Sequence, residues 1–133
     1  MRSVLVHLTG CTEADVASLI ARTYPAQAGP PWIDLVDGDP CLYIDYYRDH
    51  VVELEPADLD QLKERFSGRL PVSLIANVSG RHNGAEQVHH FVEALLACWS
   101  GVAQDDYSDH LWTLQEIRSG TTVDGRLFFR EHG

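Results

Sequence analysis

The segment that most constrains the fold is an apolar run followed directly by an amphipathic one. Residues 71–80 read PVSLIANVSG, in which apolar side chains alternate at positions 72, 74, 76 and 78 while Ile75 is apolar as well. A run that is apolar at neighbouring positions is typical of a strand covered on both faces. We therefore predict a central strand over residues 72–78.

The residues that follow predict the clearest helix of the chain, from about residue 84 to residue 98. Asn83 and Glu86 have the spacing of a capping box, and Gly101 would stop the helix. Polar side chains occupy one side of it, and apolar side chains recur on the other side at helical spacing. We expect five of these apolar residues to be buried, namely Val88, Phe91, Val92, Leu95 and Leu96.

The first half of the chain supplies further strands and a helix. A strand over residues 4–8 leads into a helix that begins with a Thr12–Asp15 capping box. Two strand-like runs, 32–36 and 41–47, flank the turn sequence DGDP. Turn residues between two such runs predict a β-hairpin.

The later segments are shorter. Residues 51–54 would extend the sheet, and a helix would begin at Pro56, a position that needs no backbone N–H. Residues 102–106 have the length of a short edge strand, residues 108–117 predict a last short helix, and residues 121–131 predict a turn followed by a strand.

This order of elements indicates the fold class. Strands alternate with helices that each have one apolar side, which favours helices packed on a sheet. We predict a single small α/β domain over residues 1–133, with a mixed β-sheet and packed helices. The strand order does not follow from the pattern.

The charge of the chain is strongly negative. Twenty acidic residues against ten basic ones give a formal net charge of -10. Such a field repels nucleic-acid phosphates and anionic lipid, and it speeds the encounter with a basic protein. The imbalance is concentrated, because residues 82–117 contain six acidic residues and no Lys or Arg, and residues 34–60 contain nine with only Arg48. We therefore expect a basic protein partner and no nucleic acid.

Three widely spaced cysteines, Cys11, Cys41 and Cys98, form no C-x-x-C pair and no zinc-binding spacing. A reduced compartment explains this pattern best, so we expect a cytoplasmic location. Residues 8–11, LTGC, resemble the cleavage box of a bacterial lipoprotein, but the apolar run before them is much shorter than the ~7–15 residues of a signal peptide. No segment approaches the ~18 apolar residues of a membrane span, and we expect no membrane association.

One pair of residues has the spacing of metal ligands. Glu86 and His89 form an E-x-x-H pair, so both side chains project from one side of the predicted helix. A metal site needs a complete ligand set, and a second such pair on a facing helix is missing. We expect a solvated helix face with ordinary His–Glu contacts, and no bound metal or cofactor.

The sequence VSGRHNG contains a second candidate for enzyme chemistry. Ser79 lies between the predicted central strand and the following helix, a place that enzymes often use, but the G-x-S-x-G motif is absent. We expect a simple strand-to-helix turn. The alternative is a small metal-dependent or hydrolytic enzyme with a site at the turn 79–84, using His82, Asp105 or Asp106.

Three aspartates, Asp105, Asp106 and Asp109, lie close together beside Tyr107. One carboxylate would cap the last helix, and the others would stay exposed and steer a basic partner. Tyr107 and Tyr47 are the predicted aromatic anchors, although tyrosines in such segments also serve as core residues while charges maintain solubility. The predicted partner-binding residues are Asp37, Asp39, Tyr47, Asp105, Asp106, Tyr107 and Asp109.

The chain resembles a class of small bacterial proteins in its size, its acidity and its lack of catalytic signatures. VSGRHNG, the amphipathic helix after it, and GVAQDDYSDHLWTLQEI together resemble a segment of immunity proteins from bacterial polymorphic-toxin systems, including contact-dependent and type VI secretion systems. The resemblance covers about a third of the chain and implies binding of a cognate toxin by occlusion, without a cofactor. A basic, nuclease-like toxin would suit the charge. A self-associating structural module is the third possibility.

Overall fold

Five strands form one sheet in a computed structural model that describes residues 2–129, except for the side chains at positions 51 and 52. The strands are β1 (Ser3–Thr9), β2 (Trp32–Val36), β3 (Asp39–Tyr46), β4 (Val72–Val78) and β5 (Ser100–Asp105). Their order across the sheet is β2-β3-β4-β1-β5. The predicted central strand is therefore confirmed in β4, and the predicted edge strand is confirmed in β5.

The chain also forms four helices of six or more residues and one single-turn helix within residues 2–129; all but the last lie between strands. They are α1 (Glu13–Thr23), the single turn α2 (His50–Glu53), α3 (Pro56–Arg65), α4 (Ala85–Leu96) and α5 (Leu114–Ser119). Pro56 occupies the start of α3, as predicted. The predicted strand over residues 51–54 is wrong, because this segment forms α2 and the turn after it.

All strand pairings are antiparallel, where a mixed sheet was predicted. Strands β4 and β5 run in the same direction and are joined by α4, which by itself favours a parallel pair. However, β1 lies between them and pairs with both in the opposite direction. The helical crossover thus passes over β1, and parallel neighbours do not form. The prediction of an α/β domain with helices packed on the sheet is confirmed.

The hairpin predicted from DGDP is confirmed by the pairing of β2 with β3. Asp37 and Gly38 form its two-residue loop, and both have a positive φ, of 52° and 77°. Type I′ turns require this conformation at both central positions, and Asp-Gly is one of the sequences that adopt it readily.

The main core lies on one side of the sheet, which we call the first face. Side chains alternate between the two sides of a strand, so Val4, Val6 and Leu8 all point to this face. They pack under α1 and α4. The five residues of α4 that were predicted to be buried are all buried, namely Val88, Phe91, Val92, Leu95 and Leu96. Burying each large apolar side chain contributes about 1.5–3 kcal/mol, which makes this layer the main source of stability.

Helix α4 begins differently from its prediction. Its N-cap is Gly84 in a left-handed conformation, and the Asn83–Glu86 capping box does not form. A Cβ at Gly84 would lie 2.4 Å from Val78 Cγ1, so only glycine permits this close passage from β4 into the helix. Starting one residue later puts Glu86 at the second helical position, too early for a capping box. Asn83 Oδ1 instead accepts a hydrogen bond from Ala85 N at 3.2 Å.

The last helix also starts later than predicted. The backbone of Trp112 pairs with Ala103 on the outer edge of β5, through hydrogen bonds of 2.8 and 2.7 Å, so this residue is extended. Helix α5 then begins after Thr113, in a capping box with Glu116. None of the three aspartates caps it, which corrects the prediction.

The end of the described chain packs on the first face. Val123 and Arg126 flank a turn, and Phe128 and Phe129 are buried in the main core. The strand predicted after this turn is not formed over residues 127–129, and residues 130 and 131 of that prediction lie outside the described part.

Candidate functional site

The side of the sheet away from the main core is only partly covered, and we call it the second face. Its side chains come from the alternate positions of the strands, and most are neither fully buried nor fully exposed. These residues are Leu5, Ile33, Tyr43, Asp45, Ile75, Asn77 and Gln104. The prediction that the central strand is largely covered on both faces agrees with β4, none of whose residues is exposed, although Ile75 and Asn77 on the second face are only half-buried.

The middle of the second face carries two apolar pairs, Leu5–Ile75 and Ile33–Tyr43, among polar side chains. Ile75 on β4 lies opposite Leu5 on β1 and opposite Asp45 on β3. Tyr43 on β3 lies opposite Ile33 on the edge strand β2 and opposite Asn77 on β4. Directly opposed side chains on one face have their Cβ atoms about 4.5–5.5 Å apart, so these residues contact one another across the strands.

Carboxylates border this apolar area. Asp45 is exposed on β3, and Asp106 is exposed at the end of β5, where it accepts a hydrogen bond from Ser3 N at 2.6 Å. Burial raises the pKa of Asp58 on helix α3, and the negative charge of Asp109 raises it further. The exposed Asp109 therefore lies near helix α3. The second face thus combines an apolar centre with negative charge from three separate parts of the chain.

Helices α2 and α3 cover the other part of the second face. Leu62 of α3 packs there on Val102 and Leu111 in a small separate cluster. Beside it, α2 buries a polar cluster that no sequence motif predicts. Ser73 Oγ lies 2.7 Å from His7 Nδ1 and 2.8 Å from His50 Nε2.

These three polar residues are almost completely shielded from solvent, with 0% exposure for His7, 2% for Ser73 and 4% for His50. Burial lowers the pKa of His7 to about 4 and also lowers that of His50. A hydroxyl can donate one hydrogen bond and accept two, so Ser73 can serve both rings while both are neutral. Although a serine between two imidazoles has the parts of a nucleophile and a base, the cover of α2 keeps a substrate from its Oγ. The arrangement supports the structure of this region.

Tyr47 is not a surface anchor, which corrects that prediction. Its side chain is buried, with its ring centroid 4.9 Å from that of His50 in an edge-on arrangement. Burial, followed by the charge of Glu53, raises its pKa to about 12. The ring forms part of the cover over the polar cluster, and Tyr43, four residues earlier and within β3, is the tyrosine on the second face.

Asp105 is also buried, and it serves the backbone. Its carboxylate accepts hydrogen bonds from Phe129 N at 2.6 Å and from Tyr107 N at 3.2 Å. Burial raises the pKa of Asp105 in spite of these hydrogen bonds. This residue therefore ties the C-terminal segment to the end of β5, and its carboxylate is not at the surface, which corrects its prediction as a partner-binding residue.

The turn 79–84 meets the tip of the β2–β3 hairpin. Asp39 accepts one hydrogen bond from the Arg81 guanidinium at 2.8 Å and lies 2.8 Å from His82 Nε2. Ser79 is buried, and its Oγ accepts a hydrogen bond from Arg81 N at 3.3 Å, as expected for a turn. Within residues 2–129 no hydrogen bond joins the side chains of Ser79 and His82, and the contact of His82 is with Asp39 at the hairpin.

The remaining predicted partner-binding residues lie at or near the surface. Asp37, Asp106 and Asp109 are exposed, whereas Asp39 and Tyr107 are half-buried. The ring of Tyr107 packs on Phe129, with centroids 5.9 Å apart. These residues do not form one patch, because Asp37 lies at the hairpin tip while Asp106 and Asp109 follow β5 at the opposite edge of the sheet.

The two members of the E-x-x-H pair on α4 have different surroundings. His89 Nε2 lies 3.3 Å from the carbonyl oxygen of Phe128, whereas Glu86 is exposed. In the described part of the chain, no three His, Cys, Asp or Glu side chains are grouped in a way that could hold a metal ion. Cys11, Cys41 and Cys98 are free thiols.

No helix formed by residues 2–129 has both the length and the apolar character required to cross a membrane. Comparisons with protein-family models, with curated proteins and with solved structures find no match to this chain. The resemblance to immunity proteins therefore remains a prediction from the sequence.

Proposed function

We propose that this chain is an immunity protein that binds a cognate bacterial toxin, of a basic and nuclease-like type, through the second face. The observation that carries the proposal is the partly open second face, where the half-buried pairs Leu5–Ile75 and Ile33–Tyr43 lie beside exposed carboxylates. Binding there would occlude the toxin without any cofactor.

The residues of the second face suit a protein contact. One face of an antiparallel sheet is commonly solvated, and it then carries mainly polar side chains. Here that face carries Leu5, Ile33 and Ile75 together with Tyr43. Apolar and aromatic residues at the centre, with polar residues at the rim, are the usual composition of a protein interface.

The charges support the same partner. Asp45, Asp106 and Asp109 are exposed around the second face, and the whole chain has a formal net charge of -10. Negative potential around a contact surface raises the association rate of a basic protein, and salt screens this effect. The apolar centre would then set the dissociation rate.

The test begins with purification of the chain together with the product of the adjacent gene. Binding kinetics are then measured at low and high salt for the double variant Asp45→Asn/Asp109→Asn. We expect association about 3–10-fold slower at low salt, and a smaller difference at high salt. Tyr43→Ala should instead raise the dissociation rate roughly tenfold or more.

Two single variants locate the contact surface. Asp124→Asn removes one exposed charge near the first face, and Asn tolerates the positive φ of 52° at this position. It should leave both rates within about twofold, as expected for a remote surface substitution. Asp37→Asn tests the hairpin tip, where a larger effect than at the second face would move the interface there.

Three results would contradict the proposal. The first is an adjacent gene product that is an ordinary metabolic enzyme and does not bind. The second is a complex whose rates are unchanged by the Asp45, Asp109 and Tyr43 substitutions. The third is a dimer of the free chain that Tyr43→Ala dissociates, which would favour the self-associating module.

A further inference from the structure

A polar cleft lies at the edge of the first face, between β2 and the helices α1 and α4. It has a volume of about 390 Å³, and its polar lining comes from Thr23, Tyr24, Asp34, Glu86, Gln87 and His90. The cleft is on the opposite side of the sheet from the second face, because Asp34 pairs with Leu42, whose side chain belongs to the main core.

Tyr24 lines this cleft and carries an unpartnered polar group. The residue is only 7% exposed, and its hydroxyl is buried without a hydrogen-bond partner among residues 2–129. A buried hydroxyl that loses its water contacts without a replacement costs stability, so such groups are uncommon unless something binds them. Burial, and then the charge of Asp34, raises the pKa of Tyr24. The hydroxyl therefore stays neutral and can accept a hydrogen bond.

Asp34 contributes a carboxylate that lacks compensation. Its side chain is half-buried, and the contacts within residues 2–129 include neither an ion pair nor a hydrogen bond to it. Burial raises its pKa, which the nearby His90 opposes only in part. A part-buried carboxylate is stabilised by a cation with N–H groups directed at it. Glu86, exposed in the first turn of α4, adds a second carboxylate to the same cleft.

From these groups we infer that the cleft binds an organic cation, namely a primary ammonium or a guanidinium group. Two carboxylates, a neutral hydroxyl and the side-chain oxygen of Gln87 all accept hydrogen bonds, which suits a ligand rich in N–H donors. Leu35 and Val36 also line the cleft and would contact the methylene groups that such cations carry. The cation comes either from a free small molecule or from an arginine or lysine side chain of another protein.

The experiment is a titration of ¹⁵N-labelled protein, followed by amide chemical shifts at Tyr24, Asp34 and Glu86. The probes are agmatine, Nα-acetyl-arginine methylamide, and the neutral isostere Nα-acetyl-citrulline methylamide. We expect saturable shifts with both cations and none with the citrulline compound. Tighter binding of agmatine assigns the site to a free cation, and equal or tighter binding of the capped arginine assigns it to a protein side chain.

Substitutions separate this site from general attraction to an acidic protein. Asp34→Asn should weaken the binding of agmatine roughly tenfold or more, because a charge-assisted hydrogen bond is lost. Glu86→Gln, at an exposed position that should not affect folding, should weaken it by a smaller factor of about two to five. Asp60→Asn removes one exposed charge on α3, outside the cleft, and should change affinity by less than about twofold.

Tyr24→Phe distinguishes a role of the hydroxyl in ligand binding from a role in folding. Removing an unpartnered hydroxyl should leave the melting temperature unchanged or higher, while agmatine binding weakens about threefold or more. The inference is overturned if no probe gives saturable shifts in the cleft, if the citrulline compound binds as well as the arginine compound, or if both Asp34→Asn and Glu86→Gln bind like the unsubstituted protein. Because the cleft and the second face are on opposite sides of the sheet, these results are independent of the toxin-binding proposal.

Discussion

The buried cluster of His7, Ser73 and His50 should make the protein lose stability in mild acid. Burial lowers the pKa of His7 from its ordinary value of 6.5 to about 4. Between these two values the unfolded chain binds a proton at this position and the folded chain does not. Stability from His7 is therefore complete above pH 6.5 and is lost as the pH falls toward 4.

The size of this loss follows from the two pKa values. For His7 alone, the free energy of unfolding should fall by about 1 kcal/mol at pH 5.5 and by roughly 2–3 kcal/mol at pH 4.5, relative to pH 7.5. Burial also lowers the pKa of His50, which adds to the loss in the same direction. A midpoint for His7 near pH 4 should also be visible in its imidazole chemical shifts.

The assay is urea unfolding at pH 7.5, 5.5 and 4.5 for the unsubstituted protein and for His7→Asn. Asparagine can still hydrogen-bond Ser73 but does not titrate, so the variant should be less stable at pH 7.5 and lose less stability on acidification. His90→Asn, at an exposed position, is the control and should follow the unsubstituted protein. Equal losses for His7→Asn and the unsubstituted protein, or a His7 midpoint above pH 6, would refute the reasoning.

Four further outcomes are expected. Phe91→Ala should cost roughly 3–5 kcal/mol because the ring is 1% exposed beneath α4, and a loss below about 1 kcal/mol in urea unfolding would contradict its core position. Gly101→Ala should cost more than about 2 kcal/mol, since the added Cβ would lie 2.1 Å from a carbonyl oxygen of β1; thermal unfolding close to that of the unsubstituted protein would contradict this contact. Asp105→Ala should cost about 1–3 kcal/mol and expose the segment at Phe129 to limited proteolysis, whereas an unchanged cleavage pattern would argue against the anchor. Elemental analysis of untagged protein should find no stoichiometric zinc, iron or manganese, because the E-x-x-H pair lacks further ligands.

Features that depend on neighbours within a few residues could be predicted from the sequence. The Thr12–Asp15 capping box forms as expected, and Asp37 starts the predicted hairpin turn. Helix α4 buries the predicted side chains, including Phe91. In each case the interacting groups are adjacent in the chain, or recur with the period of a helix, so their geometry is set by local backbone conformation.

The candidate site could be predicted only in part. The acidic and tyrosine-rich character of residues 34–60 is evident in the sequence, but the tyrosine of the second face is the half-buried Tyr43, and Tyr47 is buried. Alternation along β3 divides its side chains into two sets without indicating which set faces solvent. That depends on where α2 and α3 pack, and therefore on contacts across the sheet.

The sequence by itself thus determined the secondary-structure elements that carry a strong local pattern, and the negative charge that any partner must match. Tertiary structure alone decided that β1 lies between β4 and β5, which makes the sheet antiparallel. It also decided that Asp105 binds Phe129, twenty-four positions away, while Asp106 stays exposed. Neighbouring aspartates have the same local propensities, and only the pairing of distant segments gives one of them a buried backbone donor, so this choice becomes visible only in the folded chain.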